Sequence, residues 1–159
     1  MSTVCFTGHR PDKLGGYNWN TVMNQIVIKG LYHMVENAIE KQGADTFICG
    51  GALGVDMMAF EVCDVLKEKY KIKIILALPY PSQGSNWFSK VDKDRLKSEI
   101  ERADEVVYVS PDPWSAKKLQ IRNEYMVDNS DIVISVWNGT KGGTYNCIQY
   151  AQLKGRDII

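Results

Sequence analysis

Short apolar runs alternate with longer stretches of helical periodicity along the whole chain, and few folds accommodate that order. The runs "TVCFT" (3–7), "DTFIC" (45–49), "IKIILAL" (72–78), "EVVYV" (105–109) and "DIVISV" (131–136) are of strand length and rich in β-branched or aromatic residues. Between the first two, residues 20–41 place Val22, Ile26, Val27, Leu31, Met34, Val35, Ala38 and Ile39 at helical spacing, and 54–69 do the same with Val55, Met58, Ala59, Val62 and Leu66. Segments 88–102 (weakly amphipathic), 116–129 and 144–154 complete the helical set, and "RDII" at the end reads as a short last strand. Strands joined through helix-length connections pair in parallel, in a sheet whose two faces are covered by those helices. The expectation is an α/β, Rossmann-like three-layer domain with a mostly parallel central sheet, formed by residues 1–159 as a single unit. A chain of 159 residues has the size of one such domain and buries a core without disulfides or metal.

Charge narrows the partners. Nineteen basic and nineteen acidic residues leave a net charge of zero. A chain that grips nucleic acid through its phosphates ordinarily carries a basic excess, so nucleic acid is not the expected partner. Cys5, Cys49, Cys63 and Cys147 form no C-x-x-C pair, and His9 and His33 are far apart in sequence. Neither a zinc site nor a disulfide framework is expected, nor any cofactor. Free cysteines in apolar strands fit a reducing, cytoplasmic setting. "MSTVCFTGHRP" lacks the apolar core of a signal peptide, and no run approaches the roughly 18 apolar residues that span a bilayer, so no membrane association is expected. Homo-oligomerisation through helices is common among open α/β domains and stays open, with no residue pointing to it.

In a sheet of this kind ligands bind at the carboxyl ends of the strands, near a reversal of strand order. The loops that follow the strands are therefore where chemistry is sought. "CGGALGVD" (49–56) turns from strand to helix on Gly50, Gly51 and Gly54, where glycine lets another group approach the main chain and the helix entry presents unpaired amides. The pattern matches neither G-x-G-x-x-G nor the P-loop, and a tight turn against the sheet is the competing reading. Asp56, in the first helical turn, either offsets the helix dipole or bonds ribose hydroxyls. "NGTKGGTYNCIQYA" (138–151) repeats the logic after the fifth strand, with Gly142, Gly143 and Thr144 at a second helix entry. Two such entries on two strands point to a nucleotide-type ligand more strongly than one. Around them stand Thr7, Gly8, His9 and Arg10 after the first strand, Arg10 with the fork that pairs with phosphate. Arg122 and Asn123 precede the fifth strand, and Trp87 in "PSQGSNW" offers a face on which a base can stack, although a loop tryptophan more often packs.

The segments "FTGHRPDKLGG", "GGALGVDMMAFE", "LPYPSQGSNW", "ADEVVYVS" and "RNEYMVDNSDIVISVWNGTKGGT" occur in this order. The ordered set resembles the YpsA-like family of the SLOG superfamily, related to the LOG-type lysine-decarboxylase-like proteins and to DprA, over nearly the whole chain. The resemblance implies a Rossmann-like domain that binds nucleotides or their derivatives. The enzymatic relatives hydrolyse a nucleotide's N-glycosidic bond. They carry P-G-G-x-G-T-x-x-E, whose glutamate is catalytic, and an arginine on the preceding helix. Arg122 matches that arginine and is the one catalytic candidate; Gly143 and Thr144 match the G-T pair. The proline is absent, the loop is longer, and the glutamate's position is Cys147. Cleavage through an oxocarbenium-like state needs a carboxylate, which a cysteine replaces only if its pKa is lowered, for instance by the helix entry.

The expected function is therefore binding of a nucleotide or derivative, mononucleotide or ADP-ribose-like, as a sensor or sequestering protein. A LOG-type phosphoribohydrolase is the alternative, and a DprA-like single-stranded DNA module the second.

Overall fold

The computed structural model describes residues 2–159, and within them the alternation is realised element by element. The order is β1 (Ser2–Gly8), α1 (Val22–Gln42), β2 (Ala44–Cys49), α2 (Val55–Leu66), β3 (Lys73–Leu78), α3 (Lys90–Arg102), β4 (Glu105–Tyr108), α4 (Ala116–Asp128), β5 (Ile132–Val136), α5 (Gly143–Leu153) and β6 (Asp157–Ile158). Most boundaries shift by only a residue or two from the expected ones; α2 stops three residues early, at Leu66, and runs on as turn. A short 3-10 turn at Pro11–Lys13 was not foreseen; proline at its first position supplies a fixed φ.

The six strands form one sheet in the order β4-β3-β2-β1-β5-β6, and every pairing is parallel. From β1 the chain steps outward through β2, β3 and β4, then returns through α4 to lay β5 beside β1. Right-handed crossovers in opposite directions put their helices on opposite faces. The core divides accordingly. Val4 and Phe6 of β1 face one way, packing with Phe47, Leu76, Leu31 and Met58 below α1, α2 and α3. Cys5, between them, faces the other way with Ile48, Val133, Met126, Cys147 and Ala151 under α4 and α5. Each large side chain fully buried here, such as Phe6 or Phe47, contributes roughly 1.5–3 kcal/mol by leaving water. The strand order reverses between β1 and β5, so the ligand crevice is expected at their carboxyl ends.

Helix entries differ in a way that matters there. Thr21, Ser89 and Ser115 cap α1, α3 and α4, each accepting a hydrogen bond from the amide three residues on. The other two helices start from Gly54 and Gly142 with no side-chain cap.

Candidate functional site

A two-lobed crevice opens at the carboxyl ends of the strands. The larger lobe, about 420 Å³, lies at the β1/β5 reversal; the second, about 230 Å³, lies over the loops after β3 and β4. Arg10, Ala52 and Leu119 line both and form the neck between them. Both volumes together are of the order that small-molecule sites offer.

Most of the sequence candidates meet in the larger lobe. Thr7, Gly8, His9 and Arg10 reach it from the end of β1; Arg122 and Asn123 from α4; Gly142, Gly143 and Thr144 from the entry of α5; and Asp56 from α2. Trp87 lines the second lobe instead, half-buried against the main core. Gly50, Gly51 and Gly54 line neither.

The two glycine-rich entries turn out to be different objects. At the α2 entry the glycines serve packing. A Cβ on Gly51 would sit 2.3 Å from Leu78 Cδ2, so the residue faces the core. A Cβ on Gly54 would meet the His9 carbonyl oxygen at 2.4 Å. The first amide of α2, on Val55, donates to that same carbonyl (3.2 Å). Asp56 supplies the negative charge this entry favours: its carboxylate accepts from the Ala52 amide at 3.4 Å and lies 4.0 Å from Arg122 Nη2. Burial raises the Asp56 pKa, and the Arg122 guanidinium opposes that rise. The α2 entry thus already carries an acidic side chain of its own.

The α5 entry is open. No described residue accepts a hydrogen bond from the amides of Gly143, Thr144 or Tyr145. A Cβ on Gly143 would touch nothing within 4 Å. Thr144 is nine-tenths buried, lines the lobe, and its hydroxyl has no partner among the described residues. Lys13, which sequence reasoning missed, stands over this entry from the 3-10 turn, with Nζ donating to Thr140 Oγ1 (3.0 Å) and the Lys141 carbonyl (3.4 Å). Arg10 is exposed and makes no ion pair among the described residues.

Two candidates are committed to holding the walls. His9 is buried and its Nε2 meets the main-chain amide of Asn138 at 2.9 Å, so the ring ties the loop after β5 to the end of β1. The guanidinium of Arg122 donates to the Gly50 carbonyl, to the Ala77 carbonyl (3.4 Å) and through Nε to Asn123 Oδ1 (3.2 Å). It clamps the ends of β2 and β3 beneath α4, and burial works against its charge while Asp56 supports it.

The position of the relatives' glutamate is closed. Cys147 is fully buried in the core under α4 and α5 and does not line the crevice. Burial pushes its thiol up to about 11, against a smaller opposing effect from the Thr7 hydroxyl. The helix entry does not make it an anion, contrary to the route considered above, because the thiol lies in apolar surroundings. All four cysteines are free and buried, and among the described residues there is no cluster that would hold a metal. Among the described residues, no helix is long and apolar enough to cross a membrane.

An all-parallel sheet with one reversal, crossed by a crevice at that reversal, defines a Rossmann-like α/β protein. The chain belongs to the YpsA family, described as the YspA SLOG family, whose model matches residues 4–156. The prophage-derived protein YoqJ of Bacillus subtilis is 37% identical over 134 residues, covering 77% of this chain and 78% of that one. A UPF0398 protein of Halalkalibacterium halodurans is 27% identical over 146 residues, covering 91% and 76%. Among solved structures, DNA processing protein A from Helicobacter pylori, described with a single-stranded DNA binding mode, superposes with a TM-score of 0.66 at 19% identity. The protein of that name from Streptococcus pneumoniae superposes at 0.64 with 16%. Both alignments cover 99% of this chain but only 63% and 49% of those chains, so the likeness is one of fold over part of their length.

Proposed function

We propose that the crevice binds a nucleotide or nucleotide derivative, its phosphate resting on the α5 entry, and that the protein acts by holding or sensing that ligand. The observation that carries this reading is the open entry itself: unpaired amides on Gly143, Thr144 and Tyr145, the free Thr144 hydroxyl, and Lys13 above them. Amides at a helix start together with the helix dipole favour an anion, and a lysine beside them adds a charge-assisted bond. The α2 entry is not part of this site, because Asp56 occupies it. Nor is the ribose contact once expected of Asp56 retained, since that carboxylate is already engaged with Ala52 and Arg122.

Binding is expected without glycosidic cleavage, because Cys147 is a buried thiol where the hydrolytic relatives carry a carboxylate. Calorimetric titration with ribonucleoside 5′-monophosphates and ADP-ribose tests the binding. Lys13→Ala should weaken whichever binds by about tenfold, the usual worth of one charged hydrogen bond. An unchanged dissociation constant in that variant would move the phosphate elsewhere. Free base released by wild-type protein well above background would remove the binding-only reading.

Single-stranded DNA is the second reading, favoured by the fold likeness to a protein described as binding it. A steep fall of oligonucleotide affinity with salt, unaffected by nucleotide competitors, would select it over the first.

A further inference from the structure

The second lobe carries an observation that packing leaves unexplained. Tyr80, just after β3, is only 5% exposed and lines this lobe. Its hydroxyl makes no hydrogen bond to any described residue. Among those residues, only the Glu99 oxygens are both unpaired and sealed from solvent, so the Tyr80 hydroxyl opens into the lobe. A tyrosine this buried ordinarily finds a partner for its hydroxyl. Trp114, 59% exposed, lines the same lobe. Its loop is nonetheless held: Asp112 Oδ1 accepts from the Ser82 amide (2.9 Å) and hydroxyl (2.6 Å). Lys118 Nζ donates to the carbonyls of Pro111 and Pro113, both at 2.8 Å. An indole displayed on a pinned loop is a preset surface, and Trp87, just ahead of α3, lines the lobe as well.

We propose that the second lobe is the seat of a planar heteroaromatic ring, with Trp114 as the face it stacks on and the Tyr80 hydroxyl as the group that bonds its polar edge. This deepens the nucleotide reading and rests on it: the ring belongs to the ligand whose phosphate lies on the α5 entry, and Arg10, shared by both lobes, sits at the neck between them. An apolar tail is a poor fit, because Ser82, Gln83, Ser85 and Asn86 line the same lobe with hydrogen-bonding groups. Aromatic faces with a polar rim match a nucleobase, whose two faces are apolar and whose edge is not.

The experiment compares the tightest-binding of the four ribonucleoside 5′-monophosphates with ribose 5-phosphate, on wild-type protein and on Trp114→Ala, Tyr80→Phe and Lys13→Ala. Wild type should prefer the nucleotide by more than tenfold. Trp114→Ala should remove most of that preference, a loss of about tenfold consistent with one lost stacking partner. Tyr80→Phe should weaken the nucleotide about fivefold, as for one neutral hydrogen bond, and leave ribose 5-phosphate unchanged. Lys13→Ala should weaken both. If Lys13→Ala acts on both ligands while Trp114→Ala and Tyr80→Phe act on neither, the phosphate site stands and the ring seat is wrong. If Trp114→Ala weakens both ligands equally, the tryptophan acts through its loop and the proposal is overturned. If wild type binds no nucleotide, this proposal and the nucleotide reading fall together.

Discussion

Gly54→Ala is expected to cost about 3 kcal/mol or more of stability, although it adds a single methyl group. Two separate penalties meet at this residue. Its φ of +93° is a conformation that a side chain adopts only at a cost of about 1–3 kcal/mol. The new Cβ would also lie 2.4 Å from the His9 carbonyl oxygen and 2.9 Å from Arg10 Cα, and both neighbours are main chain that no rotamer change can move aside. Relief requires the loop after β1 and the start of α2 to separate, which would strain the bond from the Val55 amide to His9 and displace Arg10 at the neck of the crevice. For a domain of this size the loss corresponds to roughly 6–12 °C in Tm. Gly143→Ala is the control: it meets nothing within 4 Å and has no left-handed φ, so its Tm should stay close to wild type. Thermal unfolding of the two variants decides the matter, and a Gly54→Ala protein that melts with wild type would show that the two loops do not approach as described.

That residue also shows where sequence reading runs out. The strands and helices were legible because their cause is local: "TVCFT" and "DTFIC" are apolar at strand length, and Leu31, Val35 and Ala38 recur at the helical period. The location of the crevice followed from the same information, since a βαβ order implies loops gathered at one edge of the sheet. What the glycines of 50–54 do was not legible. Gly51 needs the side chain of Leu78 beside it to reveal a packing role, and Gly54 needs the carbonyl of His9; both neighbours come from other strands' ends. The same limit hid Lys13, whose relevance depends on the 3-10 turn that lifts it over the α5 entry, and Tyr80, whose unpaired hydroxyl is a fact of its surroundings. The sequence signal for Trp114 was present, an aromatic in a short loop after β4, but nothing local distinguished a displayed indole from a packed one. Cys147 could be set against the relatives' motif from the sequence alone, whereas its burial, which favours the neutral thiol, required the α4–α5 core.

Glu99→Gln is expected to stabilise the protein increasingly as pH rises. Glu99 lies on α3, is fully buried, and neither carboxyl oxygen has a hydrogen-bond partner among the described residues. The nearby cations, Arg102 and Arg95, offset this only in part. Arg102 already holds both oxygens of Glu61, at 3.1 and 2.8 Å, and Asp64 at 2.6 Å. Burial first, and then the Glu61 carboxylate, push the Glu99 carboxyl up to about 11 from its ordinary 4.5. The folded protein therefore keeps a proton that the unfolded chain releases. Because the folded state binds more protons, stability is at its full value below about pH 4.5 and falls as pH rises toward 11, by up to ~1.4 kcal/mol per unit. Glutamine keeps the shape and the neutrality without needing the proton, so it abolishes that slope. Near pH 4 the two proteins should unfold at similar urea concentrations, since a neutral acid and an amide cost about the same to bury. At pH 8 the variant should be the more stable by at least about 2 kcal/mol, the slope allowing more before local relaxation. The expected signature is thus a divergence of the two stability curves, one falling and one flatter, rather than a constant offset. Parallel curves between pH 5 and pH 9 would mean that Glu99 ionises in the folded state and would overturn this account.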